Sequence, residues 1–257
     1  RFGETAADER TRRVRHQLLE INGLVKRFGG LTALKAVDMT VREGELLGLI
    51  GPNGSGKTTL LNIVSGYYKA DSGTIAYQGR AILGHTPHQL ARIGIGRSFQ
   101  ITKLFKRLTV IENMLVAGLS DGKAARAEAR DRAERLLRDL KLDRLRDERA
   151  SSLSGGQGKL LEFARIMMLS PKIVLLDEPF GGVHPELKRF MHDQIRKWNA
   201  AGTTIILISH DMGSIFDLCE RVVTLSYGDV ICDGTPEETR NDPAVLDAYL
   251  GDHHGSA

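Results

Sequence analysis

The chain has 257 residues, 41% of them hydrophobic, with a net charge of +4 and two cysteines. That suffices for one large α/β domain, or a domain with a subdomain, and no apolar run approaches the ~18 residues of a membrane-spanning helix. Cys219 and Cys232 lack metal-type spacing, which points to a reduced, cytosolic protein. The mildly basic balance permits an anionic partner such as nucleotide, RNA or lipid headgroups without demanding one. The first residues carry no secretory signal. Starting at Arg1 rather than Met, the sequence is expected to be a trimmed piece of a longer polypeptide.

Residues 1–17 set Arg1, Arg10, Arg12, Arg13 and Arg15 beside Glu4, Asp8 and Glu9, and are expected to form a solvated tail or linker ahead of a folded domain over 18–257. Two strand-like runs, 18–25 and 34–41, flank the turn Phe28-Gly29-Gly30. A third, Leu46–Ile50, runs into Gly51-Pro52-Asn53-Gly54-Ser55-Gly56-Lys57-Thr58-Thr59, and a helix follows to about Ser65. Between a strand and a helix, the pattern Gly-x4-Gly-Lys-Ser/Thr reads as a phosphate cradle. Its glycines let backbone N–H groups turn inward, and the helix N-terminus adds partial positive charge. Lys57 would bridge the β- and γ-phosphates, and the Thr58 hydroxyl would sit on Mg²⁺.

Residues 72–79 read as a further strand with turns at both ends. Residues 101–170 are expected to form a helical subdomain, with Ala133, Leu136, Leu137, Leu140 and Leu142 near helical spacing. Gly158, inside a helix there, costs about 1 kcal/mol relative to alanine. The runs 173–176 and Thr204–Ile208 are continuously apolar, as strands buried on both faces of a parallel sheet are. Pro185–Ala200 reads as the crossover helix between them. A hairpin turning at Tyr227-Gly228 joins 222–226 to 229–232, and Thr235-Pro236-Glu237-Glu238 then opens a helix with cap, proline and capping glutamate. Asp242-Pro243 repeats the device before 244–250.

Two further motifs carry chemistry. The strand ending Leu176-Asp177-Glu178-Pro179 delivers two acids, of which Asp177 can hold Mg²⁺ through water and Glu178 can polarise a water for attack on a γ-phosphate. A plain surface turn is the alternative; a position 120 residues beyond Lys57 in an α/β pattern favours metal and base. Leu153-Ser154-Gly155-Gly156-Gln157, ahead of a helix, forms a second anion site. One triphosphate does not need two cradles.

With these motifs in this order the chain resembles the ATP-binding cassette (ABC) ATPases over residues 18–250. The resemblance implies an α/β fold: a P-loop NTPase core with an antiparallel β subdomain and a helical subdomain. It implies that two cassettes dimerise head to tail, so that Ser154, Gly155, Gly156 and Gln157 act in trans on ATP held by the other cradle. Gln100 matches the family's Q-loop glutamine, which contacts Mg²⁺ and the attacking water and links to the membrane partner. His210 matches the switch histidine at the γ-phosphate, and Phe28 the aromatic that stacks on adenine. The implied catalytic residues are thus Glu178, His210, Gln100 and Lys57, the metal-holding ones Thr58, Gln100 and Asp177, and the cofactors ATP and Mg²⁺. His184 stands where the family usually has an acid or asparagine, which puts the usual polar contact across the dimer in doubt.

The stretch Gly96-Arg97-Ser98-Phe99-Gln100 and the tail through Tyr249-Leu250-Gly251 are similar to those of importers for branched-chain amino acids and related amides such as urea. The expectation is an ATP-hydrolysing subunit at the cytoplasmic face of the membrane. It would power import through separate permease subunits fed by a solute-binding protein, with no nucleic acid partner. A lipopolysaccharide-export-type cassette and a soluble, non-transport cassette ATPase are the alternatives. Leu104, Phe105 and Leu108 are expected to be exposed and could seat a permease helix; local subdomain core is the competing account. His85, His88, His253 and His254 are expected to be solvated rather than metal ligands.

Overall fold

The computed structural model describes residues 16–98, 104–118 and 123–251. The expected tail, except for His16 and Gln17, lies outside these residues, as do Gln100, His253 and His254. Strands β1 (Gln17–Phe28) and β2 (Leu31–Arg42) pair antiparallel, turning at Gly29-Gly30. Strand β3 (Leu46–Ile50) enters a different sheet and hands over to the glycine loop and α1 (Lys57–Val64). Strands β4 (Ser72–Tyr77) and β5 (Arg80–Ala81) complete the first sheet in the order β2-β1-β4-β5.

Next come α2 (Pro87–Arg92), β6 (Ile95–Arg97), α3 (Val110–Ala117), α4 (Lys123–Asp139) and α5 (Gly155–Met167). The remaining elements are β7 (Ile173–Asp177), α6 (Pro185–Ala200), β8 (Thr204–Ile208), α7 (Met212–Leu218), β9 (Arg221–Ser226), β10 (Asp229–Gly234), α8 (Pro236–Asn241) and α9 (Pro243–Gly251). The second sheet runs β10-β9-β3-β8-β7-β6, parallel throughout except for β10. At the β9–β10 turn Tyr227 and Gly228 both have positive φ, as a two-residue turn matched to strand twist requires.

The apolar runs of β3, β7 and β8 make physical sense once both sheet faces are covered. Side chains alternate across a strand. Accordingly Leu46, Ile50, Val174, Leu176, Ile205 and Leu207 face one core, built with α3–α7. Leu47, Leu49, Ile173, Leu175, Ile206 and Ile208 face the other, built with α1 and the antiparallel sheet. Leu207 has no exposed surface. Leu207→Ala should therefore lower stability by about 2–5 kcal/mol, read by urea unfolding; a loss below about 1 kcal/mol would contradict this two-sided packing.

Elements α2, β6 and α7 are short and are not among those expected from the sequence. Helix α2 buries only Leu90 and is started by a Thr86–Gln89 capping box. Strand β6 is three residues long, and α7 is started by Asp211, whose carboxylate accepts the Ser214 N–H at 3.3 Å. The β7–β8 register sets Asp177 opposite Ile208. Residues just past both strand ends therefore emerge together at the carboxyl edge of the sheet, beside the loop after β3, where open α/β sheets bind ligands.

Candidate functional site

At that edge the glycine loop is packed too tightly for side chains at its first and last glycines, Gly51 and Gly56. A Cβ at Gly51 would lie 2.0 Å from the Leu225 carbonyl oxygen, and one at Gly56 would lie 2.6 Å from that of Ala33. Gly51, Gly54 and Gly56 all have positive φ. Gly56 precedes α1 with no side-chain cap, so the first N–H groups of the helix are left for an anion. Lys57 is buried and turns back over the loop: its Nζ donates to the carbonyls of Gly51 and Pro52, both at 2.8 Å, and to Ser55 Oγ at 3.3 Å.

A cavity of about 330 Å³ opens over this loop. Asn53, Gly54, Ser55, Gly56, Lys57, Thr58 and Thr59 form its floor, Phe28, Leu31 and Ala33 one wall, and Asp177, Glu178, Ile208 and His210 the other. Gly51 and Pro52 lie buried beneath the loop instead. Phe28 is exposed and is braced edge-on by Tyr68, with ring centroids 5.4 Å apart. The Lys26 ammonium stands over the ring, 5.2 Å from its centroid, so a flat ring would stack on the opposite face.

Asp177 is buried and held from two sides. Its N–H donates to Ser98 Oγ at 3.1 Å, and the Arg97 guanidinium approaches its carboxylate at 3.4 Å. Arg97 also donates to Asn62 Oδ1 at 2.7 Å and Ser65 Oγ at 2.6 Å, tying the acid to α1. Burial pulls the guanidinium's pKa down, and Asp177 works against that. In the sequence Arg97 and Ser98 figure only within an importer-like stretch, without a supporting role; a cation three residues before a glutamine was the available signal.

Glu178 has a φ of 50°, a left-handed conformation that costs an L-residue on the order of 1 kcal/mol. Its N–H donates to the Ile208 carbonyl at 3.0 Å, which holds the strained turn against β8. Among the described residues its buried Oε1 makes no hydrogen bond, and His210 Nε2 stands 3.5 Å away. Burial pushes the Glu178 carboxyl above the usual range, opposed by His210 and Lys57. Together these groups suit a magnesium nucleotide: a cradle of N–H groups, a lysine, hard oxygen donors at Thr58 and Asp177, and a carboxylate oxygen that makes no hydrogen bond among the described residues.

The second anion motif stands apart. Among the described residues, the cavity wall includes none of Ser154, Gly155, Gly156 and Gln157. Ser154 caps α5, accepting the Gln157 N–H at 3.3 Å, while Gln157 Oε1 accepts the Ser154 N–H at 2.9 Å. Ser154 and Gly155 are exposed, and a Cβ at Gly155 would meet nothing within 4 Å. Lys159, one turn into α5, donates to the carbonyls of Pro179 and Gly181, linking this helix to the loop after Glu178. Exposed His184 is the N-cap residue of α6 but makes no capping bond. Of the three apolar residues expected at the surface, only Phe105 is exposed. Leu104 packs against the core and Leu108 is half-buried, because α3 and the segment before it close over that cluster.

Residues 34–181 match the family model described as ABC transporter, and residues 230–255 match one described as branched-chain amino acid ATP-binding cassette transporter. The chain is 42% identical over 250 residues to the high-affinity branched-chain amino acid transport ATP-binding protein LivG of Salmonella typhimurium, covering 91% of this chain and 98% of that one. It is similar to the ADP conformation of MJ1267, an ATP-binding cassette of an ABC transporter, at 32% identity and a TM-score of 0.83, over 92% of this chain and 99% of that one. It is also similar to the dimeric structure of MJ0796, a bacterial ABC transporter cassette, at 28% identity and a TM-score of 0.77, over 85% and 99%. The chain belongs to the ABC transporter family, among its ATP-binding cassettes.

Proposed function

We propose that this chain is the ATP-hydrolysing subunit of an importer for branched-chain amino acids, working as a head-to-tail pair of cassettes on separate permease subunits at the cytoplasmic face of the membrane. The observation that carries the reading is the convergence of Lys57, Asp177, Glu178 and His210 on one cavity whose wall includes none of the signature residues. Such a half-site is completed by a second cassette, whose Ser154, Gly155, Gly156 and Gln157 would cover the γ-phosphate. The likeness to a dimeric cassette supports this arrangement.

In the proposed reaction Lys57 exchanges the Gly51 and Pro52 carbonyls for phosphate oxygens, and the cradle N–H groups hold the rest. Thr58, Asp177 and Gln100 would hold Mg²⁺, which supplies positive charge against the charge developing on the phosphate oxygens. Glu178, whose Oε1 makes no hydrogen bond among the described residues, orients the attacking water and accepts its proton, and His210 contacts the γ-phosphate. Phe28 stacks on adenine.

Among the described residues no helix is long and apolar enough to cross a membrane; in this reading the transport path is supplied by the permease subunits. A groove of about 350 Å³ between the core and the helical segments, lined by Phe105, Val116, Ala117 and Leu169 together with Arg97 and Arg165, offers a permease helix a largely apolar seat. The match of residues 230–255 favours import of branched-chain amino acids over a lipopolysaccharide-export role. A solute-binding protein would deliver the solute outside. Vesicles holding this chain with its permease subunits and binding protein should take up leucine, isoleucine or valine only with ATP. ATP hydrolysis without uptake of any of them would remove the solute assignment.

A further inference from the structure

The first residue of the glycine loop is tied to the far end of the chain. The Gly51 N–H donates to the Tyr249 hydroxyl at 2.8 Å, although 198 residues separate the two. The carbonyl of the same Gly51 accepts the Lys57 ammonium. Gly51 is therefore held from in front by the phosphate-seeking lysine and from behind by a phenol. No side chain could stand at this position, because an added Cβ would meet the Leu225 carbonyl and Ser55 Oγ.

The phenol is itself well placed. The Tyr249 ring packs on the larger core, and its hydroxyl lies 4.0 Å from Met212 Sδ, two residues beyond His210. Burial pushes the phenol's pKa up, which keeps the hydroxyl protonated; it accepts from Gly51 and directs its proton to the sulfur. Helix α9, which carries Tyr249, is started by Asp242, whose Oδ1 accepts the N–H groups of Ala244 and Val245 at 2.8 and 3.1 Å. Val245 is buried and pins the same helix.

We propose that Tyr249 is a positioning residue for the nucleotide site: its hydroxyl holds the entry of the glycine loop, so that helix α9 sets nucleotide affinity. This rests on the cradle being an ATP site. It assigns a task to the C-terminal segment that sets these cassettes apart in sequence. A tyrosine that only anchored α9 would act through its ring; a positioning tyrosine acts through its hydroxyl.

Tyr249→Phe separates the two, because it keeps the ring and removes the hydroxyl. Affinities for ADP and for the slowly hydrolysed analogue ATPγS are measured by titration calorimetry on the full chain, with KM and kcat for ATP and the nucleotide-free melting temperature. The expected result is an affinity loss of about 3- to 10-fold, the range of one hydrogen bond. KM should rise to match, with kcat at saturation nearly unchanged and the melting temperature lowered by a few degrees, because the Gly51 N–H loses its acceptor. Leu250→Ala, on the exposed side of α9, should bind like wild type. Unchanged affinity in Tyr249→Phe would overturn the proposal, as would a loss seen equally in Leu250→Ala. If Tyr249→Phe does not fold, Asp242→Ala, which loosens the start of α9, should weaken nucleotide binding in its place; wild-type affinity there overturns the proposal. Absence of nucleotide binding by the wild-type chain would overturn the ATP reading along with it.

Discussion

Glu178→Gln should reduce ATP hydrolysis by at least about 100-fold, the lower end of what a positioned general base contributes, while leaving ATP affinity within a few-fold of wild type. The amide keeps the shape of the side chain and its place beside His210, but it cannot accept a proton from water. ATP should therefore bind and not turn over, and cassettes should accumulate as ATP-bound dimers. Phosphate release measures the first effect, and size-exclusion chromatography with and without ATP the second. Because burial raises the Glu178 pKa, the wild-type rate should begin to fall, as pH drops, at a higher pH than for a free glutamate. That acidic limb should vanish in the variant. Turnover within about threefold of wild type would remove Glu178 from the role of base.

Lys57→Ala should weaken nucleotide binding by about 10- to 100-fold, corresponding to the 1.5–3 kcal/mol of hydrogen bonds made by a charged group. Two effects combine in this number. The variant loses the cation for the phosphates, and it leaves the Gly51 and Pro52 carbonyls without the donor that now holds them. Titration with a fluorescent nucleotide measures the loss. Affinity equal to wild type would mean that the lysine's interactions within the loop are its whole role.

Much of the candidate site was legible because its parts are contiguous. The loop from Gly51 to Thr59 announces its own geometry, since only glycine tolerates both the positive φ and the close carbonyls found at Gly51 and Gly56. The capping box at Thr235 is local in the same way: donor and acceptor lie three residues apart and close on each other in the structure. The strands β3, β7 and β8 were legible from composition, since burial on both faces leaves no polar alternation. Leu104 and Leu108 were not, because apolar residues before a helix look alike whether they face a groove or the core.

The sequence by itself thus determined the cradle, the acids at the end of β7, the capped helix starts and the two-sided sheet. Each rests on hydrogen bonding or burial set by neighbours a few residues apart. Only the tertiary structure decided that Arg97 supports Asp177 across 80 residues, that Glu178 is held in a left-handed turn by Ile208, and that Tyr249 closes on Gly51 across 198. It also decided that the signature residues stand outside the cavity they are expected to serve in another copy. Contacts of this kind follow from sheet register and from which faces the two cores bring together, and no pattern in the local sequence encodes them.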